Sequence, residues 1–318
     1  MQFSRTLKCK QLLIIYLPIL NNYPASSQSL PSPNGAYIAT ILPSKLSIRE
    51  TRSLEMLRVI SLPPELTASI NWFLWSASSE RLLIASTNEV RVYAITNQQF
   101  SAIITSPTSG TTKIAFVAFG ATDNEVCVFS DFGLKLSIFS LSTSKSVDIT
   151  APKFYNPGVA AKGLSYRPRT LNLALLTRSG GKDIISIHAR DTLDVTRSWY
   201  PDTIDAQGIC WSPDGRWLAI WESASQGHRV LIYAADGYLY KTWNGPLPVA
   251  GDDTDLTLGA GVKLFDWNKT GSHVAIGDYS KRVTLLAAPS YTESMNMLHT
   301  TVINPAEALQ VRLSTMGL

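Results

Sequence analysis

The chain has 318 residues, of which 45% are apolar and only 16% charged, with a formal net charge of +4. That composition excludes a disordered chain, and lysines and arginines that never form a run of five or six give a nucleic-acid or anionic-membrane surface little support. Three cysteines at unpaired spacings, Cys9, Cys127 and Cys210, exclude a disulfide framework.

In chain order, residues 1–29 form an atypical N-terminal extension. Arg5, Lys8 and Lys10 precede the apolar stretch Leu12–Leu20, and Asn21-Asn22-Tyr23-Pro24-Ala25-Ser26, ending in small residues, follows. This is the layout of a secretory signal. It is too short to cross a membrane, and Pro18 interrupts it. Secretion is expected if residues 1–27 act as such a signal; otherwise the chain belongs in the cytoplasm, and the extension is an edge strand or an addition from the gene model. Cys127 and Cys210, each inside an apolar run, read as buried thiols of a reducing compartment.

Residues 30–299 repeat. The first unit opens at Ser32-Pro33-Asn34-Gly35 and continues through Tyr37–Thr40 and Leu46–Ile48. The second has Trp72–Ser76, Leu82–Ala85 and Val90–Tyr93. The third has Phe116–Phe119, Val126–Phe129 and Leu136–Phe139, and the fourth Leu164–Arg167, Leu173–Leu176 and Ile185–His188. The fifth is the most regular: Gly208–Trp211, a turn at Pro213-Asp214-Gly215, Trp217–Trp221, Val230–Tyr233, Asp236-Gly237 and Tyr238–Tyr240. The sixth has Leu264–Trp267, Val274–Gly277 and Val283–Leu286.

The aromatic residues that precede the turns, Trp75, Phe119, Tyr166, Trp211 and Trp267, are separated by 44, 47, 45 and 56 residues. Repeats of about 40–45 residues with four strands each predict an all-β, WD40-like β-propeller. Inner strands buried on both faces account for the unbroken apolar runs, and the large rings fill the gaps between blades. A Gly/Pro/Asp-rich insertion, Gly245–Gly261, explains the long last interval. Six four-stranded blades are expected with a seventh incomplete: residues 300–318 form a tail or partial blade with one candidate strand, Ala308–Leu313, as in a chain truncated relative to its relatives.

The stretch from Gly163 to Leu298 resembles the WD-repeat family of centrosomes and fungal spindle pole bodies known in animals as WRAP. Lys182–Ile187, followed by Trp199 and Asp202-Thr203-Ile204-Asp205, is similar to that family's lysine–aspartate strand and its aspartate–threonine pair. Trp211–Gly215, Leu218–Trp221, Val230–Tyr233 and Asp236-Gly237 resemble its most recognisable blade. Val274–Tyr279 with Lys281–Val283 resembles the next, and Ser32–Gly35 with Ile38–Thr40 the first. The tryptophan–aspartate dipeptides of regular WD repeats are absent; Tyr93-Ala94, Phe139-Ser140 and Tyr233-Ala234 stand in their place.

The resemblance implies a non-enzymatic scaffold that anchors microtubule minus ends and assists spindle assembly at the centrosome or spindle pole body. Its partners would be a coiled-coil spindle-pole or centrosomal protein and, in fungi, a minus-end kinesin. Serine–proline–aspartate–glycine blades also occur in translation initiation factors, so a propeller that binds the ribosome or RNA is the alternative.

No residues point to catalysis. His188, His228, His273 and His299 lack metal-ligand spacing, no nucleophile elbow exists, and the glycines form no phosphate-cradling loop. No cofactor, metal, small-molecule substrate, nucleic acid or membrane is expected. Asp252, Asp253 and Asp255 on the insertion lack the spacing and distal Glu of a calcium loop. They read as a solvated acidic loop or a protein-contact segment.

Overall fold

The computed structural model describes residues 29–105, 113–130, 135–153, 163–245, 261–280 and 282–287, and the backbone of 297–302. The signal-like stretch Leu12–Leu20 and the candidate strand Ala308–Leu313 lie outside these residues. The described part divides between two compact units, the first ending at Ser109 and the second beginning at Gly110.

Unit 1 holds two antiparallel four-stranded meanders. The first comprises β1 (Ser29–Pro31), β2 (Tyr37–Leu42), β3 (Lys45–Glu50) and β4 (Met56–Ser61); the second comprises β5 (Trp72–Trp75), β6 (Arg81–Ala85), β7 (Glu89–Ala94) and β8 (Ser101–Thr105). A short helix, α1 (Pro64–Ala68), joins them; Pro at its start suits a position with no intrahelical N–H partner. Ala39, Leu46 and Ile48 of the first sheet share a core with Leu82, Ile84 and Tyr93 of the second. Trp75 stacks on Tyr37 at 6.2 Å and donates its indole N–H to the Leu30 carbonyl at 3.0 Å.

Unit 2 holds four more sheets of the same topology. The third is β9 (Ile114–Phe119), β10 (Glu125–Ser130), β11 (Lys135–Ser140) and β12 (Ser146–Thr150). The fourth is β13 (Leu164–Tyr166), β14 (Leu173–Ser179), β15 (Lys182–His188) and β16 (Val195–Trp199). The fifth is β17 (Ala206–Trp211), β18 (Trp217–Glu222), β19 (Val230–Ala234) and β20 (Leu239–Trp243). The sixth is β21 (Val262–Trp267), β22 (His273–Asp278), β23 (Arg282–Ala287) and β24 (Met297–Val302). Each of the six expected repeats is thus one four-stranded meander.

The second and third strands carry the core because both of their faces are covered. Leu82, Leu83, Ile84 and Ala85 are all fully buried, as are Leu218, Ala219 and Ile220. Within unit 2 successive sheets share cores: Phe129 and Leu136 with Leu173 and Leu175, Ile185 with Ile209 and Tyr233, and Trp221 with Phe265. Four of the five turn-preceding aromatics serve such shared cores: Trp211 and Trp267 are buried in those of unit 2, Tyr166 packs half-buried against another of them, and Trp75 packs half-buried against the core of unit 1. The buried Cys127 thiol lies 3.3 Å from the Tyr166 hydroxyl, and burial pushes its pKa up to about 12.

The serine–proline–aspartate–glycine turn works as its residue types demand. Ser212 Oγ accepts from the Trp217 N–H at 3.0 Å and donates to Asp214 Oδ1 at 2.5 Å, while Gly215 supplies φ +70°. Ser32 and Asn34 repeat the arrangement, Ser32 Oγ accepting from Tyr37 N–H at 2.9 Å. Asn268, the only residue in an Asn-x-Ser/Thr sequence, caps the matching turn of the sixth sheet by accepting from the His273 N–H.

Three of the hairpins to the outer strands show a feature with no sequence signature. Leu54, Ser144 and Leu193 each occupy the left-handed region, at φ 59°, 56° and 59°, and each donates its N–H to the carbonyl four residues back. A side chain there costs about 1–2 kcal/mol, partly offset in a glycine variant by the freedom of the unfolded chain. Ser144 is exposed, so a glycine there loses little packing. Ser144→Gly is therefore expected to stabilise the protein by about 0.5 kcal/mol, read as a higher urea midpoint. Ser142→Gly in the same turn, with no strain to relieve, should lower it.

Candidate interaction surface

In an antiparallel meander, the hairpin between the second and third strands lies at the same end as the connector that enters the first strand. At this end the fourth and fifth sheets bury a network of charges. It is assembled from residues in and beside two passages that carry the family resemblance. Asp183, second residue of β15 and 2% exposed, accepts from Lys153 Nζ at 2.8 Å and Arg178 Nη1 at 3.3 Å through one oxygen. Its other oxygen accepts from Thr203 Oγ1 at 3.1 Å and the Ala206 N–H at 2.6 Å. The lysine–aspartate strand and the aspartate–threonine pair, 20 residues apart, thus meet at one carboxylate.

Glu222, at the end of β18 and fully buried, holds the other side of the connector. It accepts from the N–H groups of Ile204 and Asp205 at 2.5 and 3.2 Å and from Arg229 Nη1 at 2.8 Å. Arg229 also reaches Asp202 at 2.7 Å, and the Asp202 N–H donates to the Tyr233 hydroxyl at 2.8 Å. Asp205 pairs with Lys153 and Arg178 at 2.7 and 2.9 Å, and its carbonyl accepts from the Ser223 N–H. Two buried carboxylates therefore fix residues 202–206 from both sides, with the cations supplied in register.

The Asp205 carboxyl titrates below the ordinary carboxylate range. Burial would raise it, but the hydrogen bond and charge of Lys153, with help from Ser223 and Arg178, outweigh that effect. A folded pKa below the unfolded value of about 3.9 means that the unfolded chain takes up the proton first. The resulting stability is present above that value and is lost as pH falls through the folded pKa. Urea midpoints measured from about pH 5 to pH 2 should fall less steeply for Asp205→Asn than for the parent chain.

The sixth sheet carries a second buried cluster. Asp278 Oδ2 lies 3.1 Å from His228 Nε2 and 2.8 Å from Arg282 Nε, and its Oδ1 accepts from the Arg282 N–H at 2.9 Å. Both stems of the insertion seat beside the β18–β19 loop: Gly245 packs against His228, and Gly261 against Ala224. Asp252, Asp253 and Asp255 themselves lie outside the described residues. His188, buried, bridges Ser186 Oγ and the Leu193 carbonyl and so anchors a turn. Among the described residues, no three His, Cys, Asp or Glu side chains are grouped to hold a metal ion, and no helix is long and apolar enough to cross a membrane.

No protein-family model matches the chain. It is 26% identical over 275 residues to the WD repeat-containing protein WRAP73 of Mus musculus, covering 86% of this chain and 54% of that protein. An uncharacterized WD repeat-containing protein of Schizosaccharomyces pombe is 24% identical over 253 residues, covering 77% of this chain and 49% of that one. The chain is a WD-repeat β-propeller similar to the WRAP type. It spans about half the length of the curated relatives it matches.

Solved structures agree on the fold. The Cps50 (Swd1) β-propeller domain of Myceliophteria thermophila matches with a TM-score of 0.57 at 13% identity, covering 89% of this chain and 88% of that one. Kluyveromyces lactis Hsv2 matches with a TM-score of 0.58 at 11% identity, covering 87% and 82%. At such identities these likenesses speak for architecture alone.

Two residues of the same surface escaped the sequence reading as surface features. Tyr200 and Ile204, on the connector that Asp183 and Glu222 fix, are 67% and 62% exposed. No signal in the sequence marks them, because an apolar residue beside a strand reads as core.

Proposed function

We propose that the chain is a non-enzymatic WD-repeat scaffold of the centrosome or spindle pole body, serving microtubule minus-end anchoring and mitotic spindle assembly. The observation that carries this reading is the 26% identity to WRAP73, spread over 86% of the chain rather than confined to one repeat. Support also comes from the physical character of the sheets. Their apolar side chains are spent on mutual packing, and the buried carboxylates Asp183 and Glu222 are tied into ion pairs that fix a connector. Such a body suits docking.

In this reading the protein resides in the cytoplasm with the cytoskeleton. It docks a coiled-coil spindle-pole or centrosomal protein and a minus-end kinesin. Asp252, Asp253 and Asp255 are a protein-contact segment on the insertion whose stems flank the β18–β19 loop. Live imaging of the tagged chain in dividing cells tests the reading: a focus at each spindle pole is expected, retained after microtubule depolymerisation. A signal that stays diffuse through mitosis would remove it.

A further inference from the structure

Apart from Tyr238, Tyr200 and Ile204 are the most exposed large apolar side chains among the described residues. Singly exposed apolar residues are ordinary. These two stand four positions apart on a connector whose backbone is bound on both sides. Its N–H groups at Asp202, Ile204, Asp205 and Ala206 go to Tyr233, Glu222 and Asp183, and the Ile204 carbonyl accepts from Arg178 at 3.4 Å. Two fully or nearly buried carboxylates are committed to holding this segment while its apolar side chains face water. Fixing a backbone before association removes an ordering cost from binding.

The local charge indicates what the segment receives. Lys153, Arg178 and Arg229 are each neutralised by carboxylates of the network. Lys182, exposed on the same hairpin, meets no carboxylate among the described residues, and its ammonium lies 6.0 Å from the centre of the Tyr200 ring. The surface therefore offers two exposed apolar side chains on a tethered connector, with one uncompensated cation beside Tyr200.

We infer that the Tyr200–Ile204 connector, with Lys182, is a docking site for a protein segment that presents an aliphatic side chain flanked by a carboxylate. The aliphatic group seats against Tyr200 and Ile204, and the carboxylate meets Lys182. A tyrosine that is desolvated on binding has the character of an interface hot spot. The inference rests on the reading of the protein as a docking platform and names one surface and one partner chemistry for it.

The test is selection of a displayed library of random 16-residue peptides, a design length of about four helical turns, against the purified full chain. Recovered peptides should share an aliphatic residue next to Asp or Glu. Their affinity should drop about tenfold or more for the double variant Tyr200→Ala, Ile204→Ala. Lys182→Glu should reverse the preference of the flanking position from acidic to basic. Both sets of changes fall on exposed side chains, so unchanged thermal unfolding separates lost binding from lost folding. Peptides that bind both variants as tightly as the parent overturn the connector site while leaving a docking platform standing elsewhere. A selection that yields no peptides overturns the site as well, and spindle-pole imaging then decides the broader reading independently.

Discussion

Asp183→Ala is expected to destabilise the protein by about 3–5 kcal/mol, the usual cost of breaking a buried ion pair from one side. The carboxylate is 2% exposed and takes four donors, two of them cationic. Without it, the Ala206 N–H sits in a fully buried residue with its acceptor gone, and Lys153, whose side chain is 13% exposed, retains Asp205 as its one carboxylate among the described residues. An unmade bond in such a place costs more than the bond contributes when formed. Asp183→Asn should fare little better, since its amide must turn N–H groups toward either the cations or the connector donors. Urea midpoints for the parent and both variants give the measurement. A loss below about 1 kcal/mol for Asp183→Ala would mean that the connector is held by packing rather than by this carboxylate.

That carboxylate also shows where reading the sequence stops. Lys182-Asp183 and Asp202-Thr203 stand out in the sequence as a family pattern, yet nothing in their spacing says that they touch. The meeting depends on β15 and β16 completing one sheet and the chain crossing to the next, a tertiary event without local signature. Inner strands were legible for the opposite reason. Leu82–Ala85 and Trp217–Trp221 are covered on both faces, so their burial appears directly as unbroken apolar runs. Most outer strands were not. Ser146–Thr150 and Val195–Trp199 are largely exposed and need no apolar pattern to pair along one edge. The hairpins that lead to some of them turn on Leu54, Ser144 and Leu193 at positive φ, where the usual glycine cue is missing. Ser212-Pro213-Asp214-Gly215, by contrast, specifies its own turn, because each residue type has one local task there.

Phe265→Ala is the second large effect, also about 3–5 kcal/mol, and it tests the packing between the fifth and sixth sheets. Phe265 is fully buried, stacked on Trp221 at 5.4 Å and 15° and met edge-on by Trp267 at 5.6 Å. Trp221 comes from the fifth sheet and Trp267 from the sixth, so the ring sits where two sheets of unit 2 close on each other. Both neighbours are themselves large and buried, and they belong to strands pinned by backbone pairing. They cannot both move inward to fill the space, so the cavity term adds to the lost transfer energy. Phe265→Leu keeps most of the volume and should cost roughly 1 kcal/mol. The contrast between the two variants carries the weight: a large loss for Ala and a small one for Leu identifies volume as what the site requires. Equal losses would instead assign the stability to the ring–ring geometry, and no loss for Ala would show that the two sheets do not depend on each other's aromatic residues.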